Sequence, residues 1–283
     1  SVIITFHPHP RLVLFPEDNH LKMLNTLPEK IQLLAASGID HLIIIPFTKE
    51  FSRLSSVDFI QQILVDQIGT KKLVIGYDHH FGKNREGSFE HLKHYGPSYG
   101  FEVEEIPPHE VDAVRVSSTK IRAELLAGAV DRAADWLTRP YFCTGTVESG
   151  ARIGRGLGFP TANLGEIDPD KLLPKDGVYA VWVERLAPHF RGERLAAVAN
   201  LGVRPTVDGS SRKLEAHVLE PGIADLYGQA LRVHFVARLR DELRFPDTEA
   251  LKAQIAQDVA AARAALRAAH FAYLEKAATG TTP

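Results

Sequence analysis

The chain has 283 residues, of which 45% are hydrophobic and 24% charged, and its formal net charge is −2. This length accommodates two ordinary domains, and the composition is typical of a soluble globular protein. Because the net charge is close to zero, it argues against a broad electrostatic attraction to nucleic acid or an anionic membrane, so any phosphate binding must come from local geometry.

Cysteine usage and hydropathy bear on the compartment. Cys143 is the single cysteine, which excludes an internal disulfide and fits a reducing cytoplasm; we expect it to be a half-buried strand thiol. No apolar run is long enough to cross a bilayer, and the first residues lack the basic and small-residue signals of a secretory leader. We therefore expect a cytoplasmic protein, whose oligomeric state the sequence leaves open.

Strands and helices alternate over the first half. The patterns predict helices at 27–37, 56–68, 89–100, 118–127 and 131–137, and strands at 2–6, 41–46, 73–76 and 101–106. Gly38, Gly69 and Gly128 stand where C-caps are expected. This alternation predicts a doubly wound, Rossmann-like α/β domain over residues 1–139.

The second half changes character near residue 140. Short β-rich segments, broken by glycine and proline, fall at 143–148, 177–184, 195–201, 214–219 and 231–239. They predict a small barrel or sandwich over residues 140–283. A long alanine-rich helix at 247–277, with Asp247 as its N-cap, is expected to pack on the barrel.

One loop is especially rich in chemistry. Residues 154–163 read Gly-Arg-Gly-Leu-Gly-Phe-Pro-Thr-Ala-Asn, and glycines at 154, 156 and 158 allow backbone N–H groups to approach an anion. The Thr161 hydroxyl and the Asn163 carboxamide are candidate ligands for a metal or phosphate. A glycine-rich hairpin is the plainer interpretation. The chain has no Gly-x-x-x-x-Gly-Lys-Ser/Thr phosphate loop.

The run Gly-Phe-Pro-Thr-Ala-Asn at 158–163 resembles the signature of riboflavin kinases. Essentially the whole chain resembles the bacterial bifunctional riboflavin kinase/FMN adenylyltransferases, or FAD synthetases. The resemblance implies a riboflavin-kinase β-barrel, ATP-dependent phosphorylation of riboflavin to FMN, and adenylylation of FMN to FAD in the intact protein. It also implies Mg²⁺ and small-molecule partners, with no nucleic acid or membrane.

The resemblance assigns roles in the kinase half. Gly154, Gly156, Gly158 and Arg204 are expected to bind ATP phosphate, and Thr161 and Asn163 to hold the metal. Glu215 precedes an apolar strand and the run Asp-Leu-Tyr-Gly at 225–228; it resembles the family's catalytic glutamate and would act as general base. Arg240 and Phe245 are expected on the flavin side, where core packing of Phe245 is an equal alternative.

Three segments of the first half resemble the adenylyltransferase module. They follow two strands and open one helix, where α/β sheets bind ligands and where helix N-termini bind phosphates. A plain N-cap is the alternative for the last segment, and a metal site at His7 and His9 is rejected because no third ligand is visible. The expected nucleotide- or flavin-binding residues are Phe6, Pro8, His9, Asp78, Phe81, Arg85, Ser117, Ser118, Thr119 and Arg122.

One family feature is missing from the sequence. Relatives begin with a strand, a helix and a His-x-Gly-His motif that stabilises the reacting phosphate, and no such motif occurs here. The Rossmann-like domain is therefore expected to be truncated, and the chain to make FMN but not FAD. The main alternative is a non-catalytic flavin- or nucleotide-binding protein. An RNA-binding module is weaker, because no basic stripe is interleaved with aromatic residues.

Overall fold

The structure is a computed structural model that describes residues 1–18, 20–76, 80–107, 110–111, 114–148, 159–187, 192–206, 209–220 and 226–278. The side chains at 18, 85, 110, 111, 114, 204–206, 209–211 and 271–278 lie outside the description. Contacts between Cα atoms divide the chain into two compact units. Unit 1 comprises Ser1–Leu21 and Lys30–Val116, and unit 2 comprises Lys22–Glu29 and Ser117–Pro283.

Unit 1 contains two pairs of parallel strands and the helices between them. Strand β1 (Val2–His7) pairs with β2 (His41–Pro46), and β3 (Lys72–Gly76) pairs with β4 (Glu102–Ile106). Strands β5 (Glu110–Val111) and β6 (Val114–Arg115) are paired antiparallel. The parallel pairs agree with the predicted alternation, since parallel strands require a crossover between them.

The helices of unit 1 include one whose first residues, 27–29, belong to unit 2. They are α1 (Pro10–Leu14), α2 (Leu27–Ala36), α3 (Ser56–Asp58), which continues as a π-helical stretch at Phe59–Gln67, and α4 (Phe89–Tyr99). Ser88 caps α4 by accepting the His91 N–H, and left-handed Gly100 ends it. The apolar faces meet in a core made of Ile60, Leu64, Ile75, Leu92 and Phe101.

Unit 2 is built on a closed six-stranded barrel. Two helices, α5 (Ser118–Ala127) and α6 (Val130–Leu137), precede it. Its strands follow in the order β10-β11-β8-β7-β12-β9, and every pair is antiparallel. The strands are β7 (Tyr141–Glu148), β8 (Ala162–Gly165), β9 (Gly177–Arg185), β10 (Arg194–Thr206), β11 (Gly209–Val218) and β12 (Ala230–Arg240).

Alternation along the strands separates the barrel interior from its outer face. Leu164, Leu201 and Leu214 are paired across β8, β11 and β10 and are at most 2% exposed. Their sequence neighbours point the other way because strand side chains alternate. The barrel interior is therefore filled by aliphatic side chains together with the buried rings of Tyr141, Tyr179 and Phe235.

The last helix, α7 (Thr248–Ala278), covers part of that outer face. Val178, Ala180 and Val198 of the barrel pack against Ala262 and Leu266 of α7. Asp247 caps the helix by accepting the Ala250 N–H at 2.8 Å, which confirms the predicted cap. The helix therefore shields β9, β10 and β12 with the amphipathic packing expected from the sequence.

Most predicted elements are confirmed within two or three residues, with exceptions of physical interest. Strand β8 and helix α1 were missed, because both lie in glycine- or proline-rich sequence. The prediction that Cys143 is half-buried is wrong, because the thiol is fully buried where Cys143 pairs with Val233 of β12. The predicted division at residues 139 and 140 stays a prediction.

Candidate functional site

Three polar side chains lie side by side on the barrel. Glu215 on β11 is paired in register with Asn163 on β8 and with Asn200 on β10. Directly paired residues point to the same face of a sheet. Because Leu214 is buried in the interior, this row lies on the outer face, where all three residues are partly exposed. The predicted base is therefore adjacent to a predicted metal ligand.

The segment before β8 is held against β11. The Nδ1 atom of His217 lies 2.8 Å from the Pro160 carbonyl oxygen, and its ring meets the Phe159 ring edge to face at 5.4 Å between centroids. Thr161 is two residues from Asn163, so the alternation of an extended chain places it on the side that Glu215 occupies. The hydroxyl, the carboxamide and the carboxylate thus share one surface.

The segment after β12 is tied to α7 by a buried ion pair. Arg240 donates from Nε and Nη2 to the two carboxylate oxygens of Asp258 at 2.9 and 2.7 Å, and the Asp258 side chain is only 6% exposed. The same guanidinium lies 5.9 Å from the centroid of the Phe245 ring. Arg240 therefore packs beside the Phe245 ring, as well as being a predicted flavin contact.

Glu242 was not predicted as a site residue, although its carboxylate contacts Asn200 in the row formed by Asn163, Glu215 and Asn200. Asn200 donates from Nδ2 to Glu242 Oε1 at 3.2 Å. The carboxylate lies across Gly202, where an added Cβ would come within 2.0 Å of Oε1. No sequence signal marks this contact, because Asn200 and Glu242 are 42 residues apart.

Several predicted site residues lie outside the described part of the chain. Gly154, Gly156, Gly158 and Asp78 are not described, and neither are the side chains of Arg85 and Arg204. Their predicted roles stay predictions.

In unit 1, the predicted residues Phe6 and Phe81 belong to one chain of aromatic rings. Phe6 contacts Phe47 and Phe51, each at 5.6 Å between centroids. Phe51 and Phe81 both contact Phe59, at 6.3 and 5.6 Å. Phe6 and Phe81, at the two ends of this row of rings, were predicted as binding residues, whereas Phe47, Phe51 and Phe59 were not.

Pro8 and His9 lie at the end of β1. The His7–Pro8 peptide bond is cis, and His9 caps α1 by accepting the Arg11 N–H on Nδ1 at 3.2 Å. Both residues are exposed. His9 thus has a local structural role, and its predicted role in nucleotide binding stays a prediction.

The hydroxyl-rich segment at 117–122 opens α5 in unit 2. Ser117 is the N-cap and accepts the Lys120 N–H at 3.3 Å, so the capping alternative is present. Ser118 and Thr119 occupy the first exposed turn. Arg122 donates from Nε to the Lys22 carbonyl oxygen at 2.9 Å.

A buried ion pair joins Glu29 and Lys171 within unit 2. Lys171 Nζ is 2.5 Å from Glu29 Oε2, and both side chains are 1% exposed. Lys171 also donates to the Leu24 carbonyl oxygen at 2.7 Å, and Thr144 donates to Glu29 Oε1 at 3.2 Å. Burial lowers the pKa of Lys171, although the Glu29 carboxylate opposes this.

The donor set at the row suits a hard cation held largely by its substrate. Thr161 and Asn163 offer oxygen donors, which magnesium prefers, and Mg²⁺ commonly keeps several waters and phosphate ligands. Among the described residues, no three His, Cys, Asp or Glu side chains cluster as a metal site. Likewise, within the described part of the chain, no helix is both long and apolar enough to cross a membrane.

Two family models match different parts of the chain. The FAD synthetase family model matches residues 1–120, and the riboflavin kinase model matches residues 137–266. A bifunctional riboflavin kinase/FMN adenylyltransferase from Pseudomonas fluorescens is 39% identical over 93% of this chain and 82% of that relative. Its namesake from Escherichia coli K12 is 38% identical over 93% and 81%.

The chain belongs to the bifunctional riboflavin kinase/FMN adenylyltransferase family. Within that family, the resemblance based on residues 158–163 is confirmed, as are the two fold types. The chain is accordingly an enzyme of the transferase class.

A crystal structure agrees with this fold. A Streptococcus pneumoniae protein described as a macrolide-efflux protein has a TM-score of 0.82 and 30% identity, and the match covers 93% of this chain and 83% of that one. The efflux description applies to that protein. Both family models that match this chain describe enzymes of flavin metabolism.

Proposed function

We propose that this chain phosphorylates riboflavin with ATP on its barrel and that its first part serves the adenylylation of FMN to FAD. The observation that carries the kinase proposal is the register of β8, β11 and β10, which brings Asn163, Glu215 and Asn200 together. Family membership supports both activities.

The chemistry assigns Glu215 the role of general base. Its carboxylate takes the proton of the ribityl 5′-hydroxyl as that oxygen forms a bond to the γ-phosphorus of ATP. The bond from the γ-phosphorus to the bridging oxygen breaks, and ADP leaves. Phosphoryl transfer depends mainly on positioning and charge neutralisation, so a fixed row of side chains on a rigid barrel suits it.

Thr161 and Asn163 would hold Mg²⁺ through the hydroxyl and carboxamide oxygens. Bound there, the ion would neutralise charge on the transferring phosphate. Gly154, Gly156, Gly158 and Arg204 are proposed to contact the remaining phosphates. Phe245, beside the Arg240–Asp258 pair, is proposed as a wall for the isoalloxazine ring.

For the adenylylation of FMN, we propose that the residues predicted from the sequence bind substrate. They act on the nucleotide or the flavin, with the aromatic chain of unit 1 offering apolar surface and the first turn of α5 offering phosphate-binding N–H groups. The proposed residues are Phe6, Pro8, His9, Asp78, Phe81, Arg85, Ser117, Ser118, Thr119 and Arg122. The cytoplasm is the proposed compartment, where a single reduced cysteine is stable.

A variant at the base tests the kinase proposal. Glu215→Gln should lower kcat for FMN formation by about 10²- to 10⁴-fold, because the amide cannot accept the proton. Riboflavin binding, followed by quenching of its fluorescence, should stay within about twofold of wild type. FMN and FAD are separated by chromatography, so the same reaction measures the products of both proposed activities.

A matched control comes from the same unit. Glu193 is an exposed glutamate before β10, and Glu193→Gln should leave kcat unchanged. If Glu215→Gln turns over riboflavin like wild type, Glu215 is not the base. If wild-type chain binds riboflavin but forms no FMN with Mg²⁺ and ATP, the non-catalytic alternative replaces the kinase proposal.

A further inference from the structure

Asn200 is the polar neighbour of Glu215 on the side away from the metal-ligand pair. The two residues are directly paired between β10 and β11, so their Cβ atoms are about 5 Å apart on the same face. On the other side of Asn200 lies Val178, which α7 buries. Asn200 therefore occupies the boundary between the exposed row and the covered face of the barrel.

The Asn200 side chain is held by a residue from the segment after β12. Its Nδ2 atom donates to Glu242 Oε1 at 3.2 Å. This carboxylate lies over Gly202, two residues further along the same face of β10. A Cβ at this position would lie 2.0 Å from Glu242 Oε1 and would displace that flexible carboxylate.

Glu242 is itself placed by its neighbours. Arg240 makes the paired hydrogen bonds to buried Asp258, and Asp241 forms ion pairs with Arg238 and Lys175 at 2.5 and 3.4 Å. Glu242 therefore comes directly after two residues, Arg240 and Asp241, whose side chains are anchored to other parts of unit 2. A fixed acceptor limits the rotamers that Asn200 can adopt.

We propose that Asn200 is a positioning residue for the phosphoryl-transfer site, held by Glu242 across Gly202 so that it fixes the orientation of the Glu215 carboxylate. The inference rests on the proposed kinase function. Asn200 contacts no reacting atom in this role, and Glu242 acts only through Asn200. Gly202 belongs to the same arrangement, because the absence of a side chain there leaves room for the Glu242 carboxylate.

The test separates turnover from binding in the full chain. Asn200→Ala should lower kcat about tenfold or more, because a misplaced catalytic group costs rate steeply. Glu242→Ala and Gly202→Ala should lower kcat in the same direction; the latter only displaces the carboxylate. The dissociation constant for riboflavin and the unfolding temperature should stay close to wild type. Gln257→Ala removes an exposed amide from α7 and serves as the control.

An exchange of donor and acceptor makes the test specific. Asn200→Asp puts a carboxylate beside both Glu242 and Glu215 and removes the N–H donor, so kcat should fall. Adding Glu242→Gln restores the hydrogen bond between positions 200 and 242 with its direction reversed, so any loss in unfolding temperature should be reversed. Because residue 200 still faces Glu215 with a carboxylate, kcat should stay low in this double variant. If Asn200 were a merely structural contact, kcat would recover together with the unfolding temperature.

The outcomes distinguish a failure of this inference from a failure of the proposed kinase function on which it rests. If the wild-type chain makes FMN and Glu215→Gln does not, but Asn200→Ala keeps kcat within twofold, the positioning role is refuted and the kinase proposal stands. If wild-type chain makes no FMN, the proposed function itself has failed, and with it this inference.

Discussion

At the residue scale, Cys143 illustrates how burial controls reactivity. The thiol is fully enclosed in the barrel, and burial raises its pKa to about 12. The thiolate is the reactive form, so native protein at pH 8 should not react with an aromatic disulfide reagent, whereas one thiol per chain should react in denaturant. Rapid labelling of the native protein, measured by absorbance of the released thiol, would contradict the buried position.

His234 carries a pH-dependent part of the stability. Burial lowers its pKa below the ordinary value of 6.5, although a hydrogen bond to Glu184 at 2.9 Å opposes this. The unfolded chain therefore binds the proton first as pH falls below 6.5, and stability should drop there, by at most about 1.4 kcal/mol per pH unit for one proton. The same hydrogen bond lowers the pKa of Glu184, so its contribution is lost at lower pH.

A variant isolates the histidine. His234→Gln keeps an N–H donor for Glu184 but cannot titrate, so its unfolding free energy should change less than that of wild type between pH 7.5 and 5.5. Urea unfolding followed by tryptophan fluorescence measures both. Parallel curves for the two proteins would show that His234 does not titrate differently in the folded state.

At the element scale, the Arg240–Asp258 ion pair links β12 to α7 beside their apolar packing. Asp258→Asn leaves Arg240 buried without its charged partner and should cost about 3 kcal/mol of unfolding free energy. The loss should also weaken riboflavin binding, because Phe245 packs beside the same guanidinium. Chemical denaturation and fluorescence titration measure the two effects, and Gln257→Ala on the neighbouring exposed position is the control. Unchanged riboflavin affinity in Asp258→Asn would separate Phe245 from the flavin site.

Elements differ in how far the sequence predicted them. Strand β9 carries a nearly continuous apolar run and β12 alternates apolar with polar residues, and both patterns predict the strand ends within a few residues. Strand β8 follows Phe159-Pro160 and spans only four residues, so its local pattern indicates a loop. It becomes a strand because β7 and β11 supply partners on both sides, which is information that only the tertiary fold contains.

The candidate site shows the same limit. Glu215 and Asn163 were each predicted from their own surroundings and from the family resemblance. Their adjacency depends on the register between two strands about 50 residues apart, which sequence spacing does not provide. Neither Asn200 nor Glu242 was given a role in the prediction, because their mutual contact joins residues 42 apart in the sequence and Asn200 meets Glu215 only through the register of β10 and β11.

At the scale of the whole molecule, the compact units do not follow the order of the chain. Residues 22–29 belong to unit 2 with the barrel. Met23 exchanges backbone hydrogen bonds with Asp170 and Leu172 at 2.6 and 2.9 Å. Glu29 and Thr26 form a capping box at the start of α2, since each side chain accepts the backbone N–H of the other. The kinase barrel is thus completed by a segment from the first family match.

The Glu29–Lys171 pair makes this dependence measurable. Glu29→Gln keeps the capping acceptor but removes the charge, leaving Lys171 buried and unpaired, and should destabilise unit 2 by about 3 kcal/mol. Lys171→Met should do the same from the other side. The combined variant Glu29→Gln/Lys171→Met removes both charges and keeps the capping acceptor, so it should be more stable than either single variant, because no unpaired buried charge remains. Denaturant unfolding and the rate of FMN formation at 37 °C should follow the same order. If Glu29→Gln unfolds at the wild-type denaturant concentration, residues 22–29 do not support the barrel, and unit 2 is held together by the second half of the chain alone.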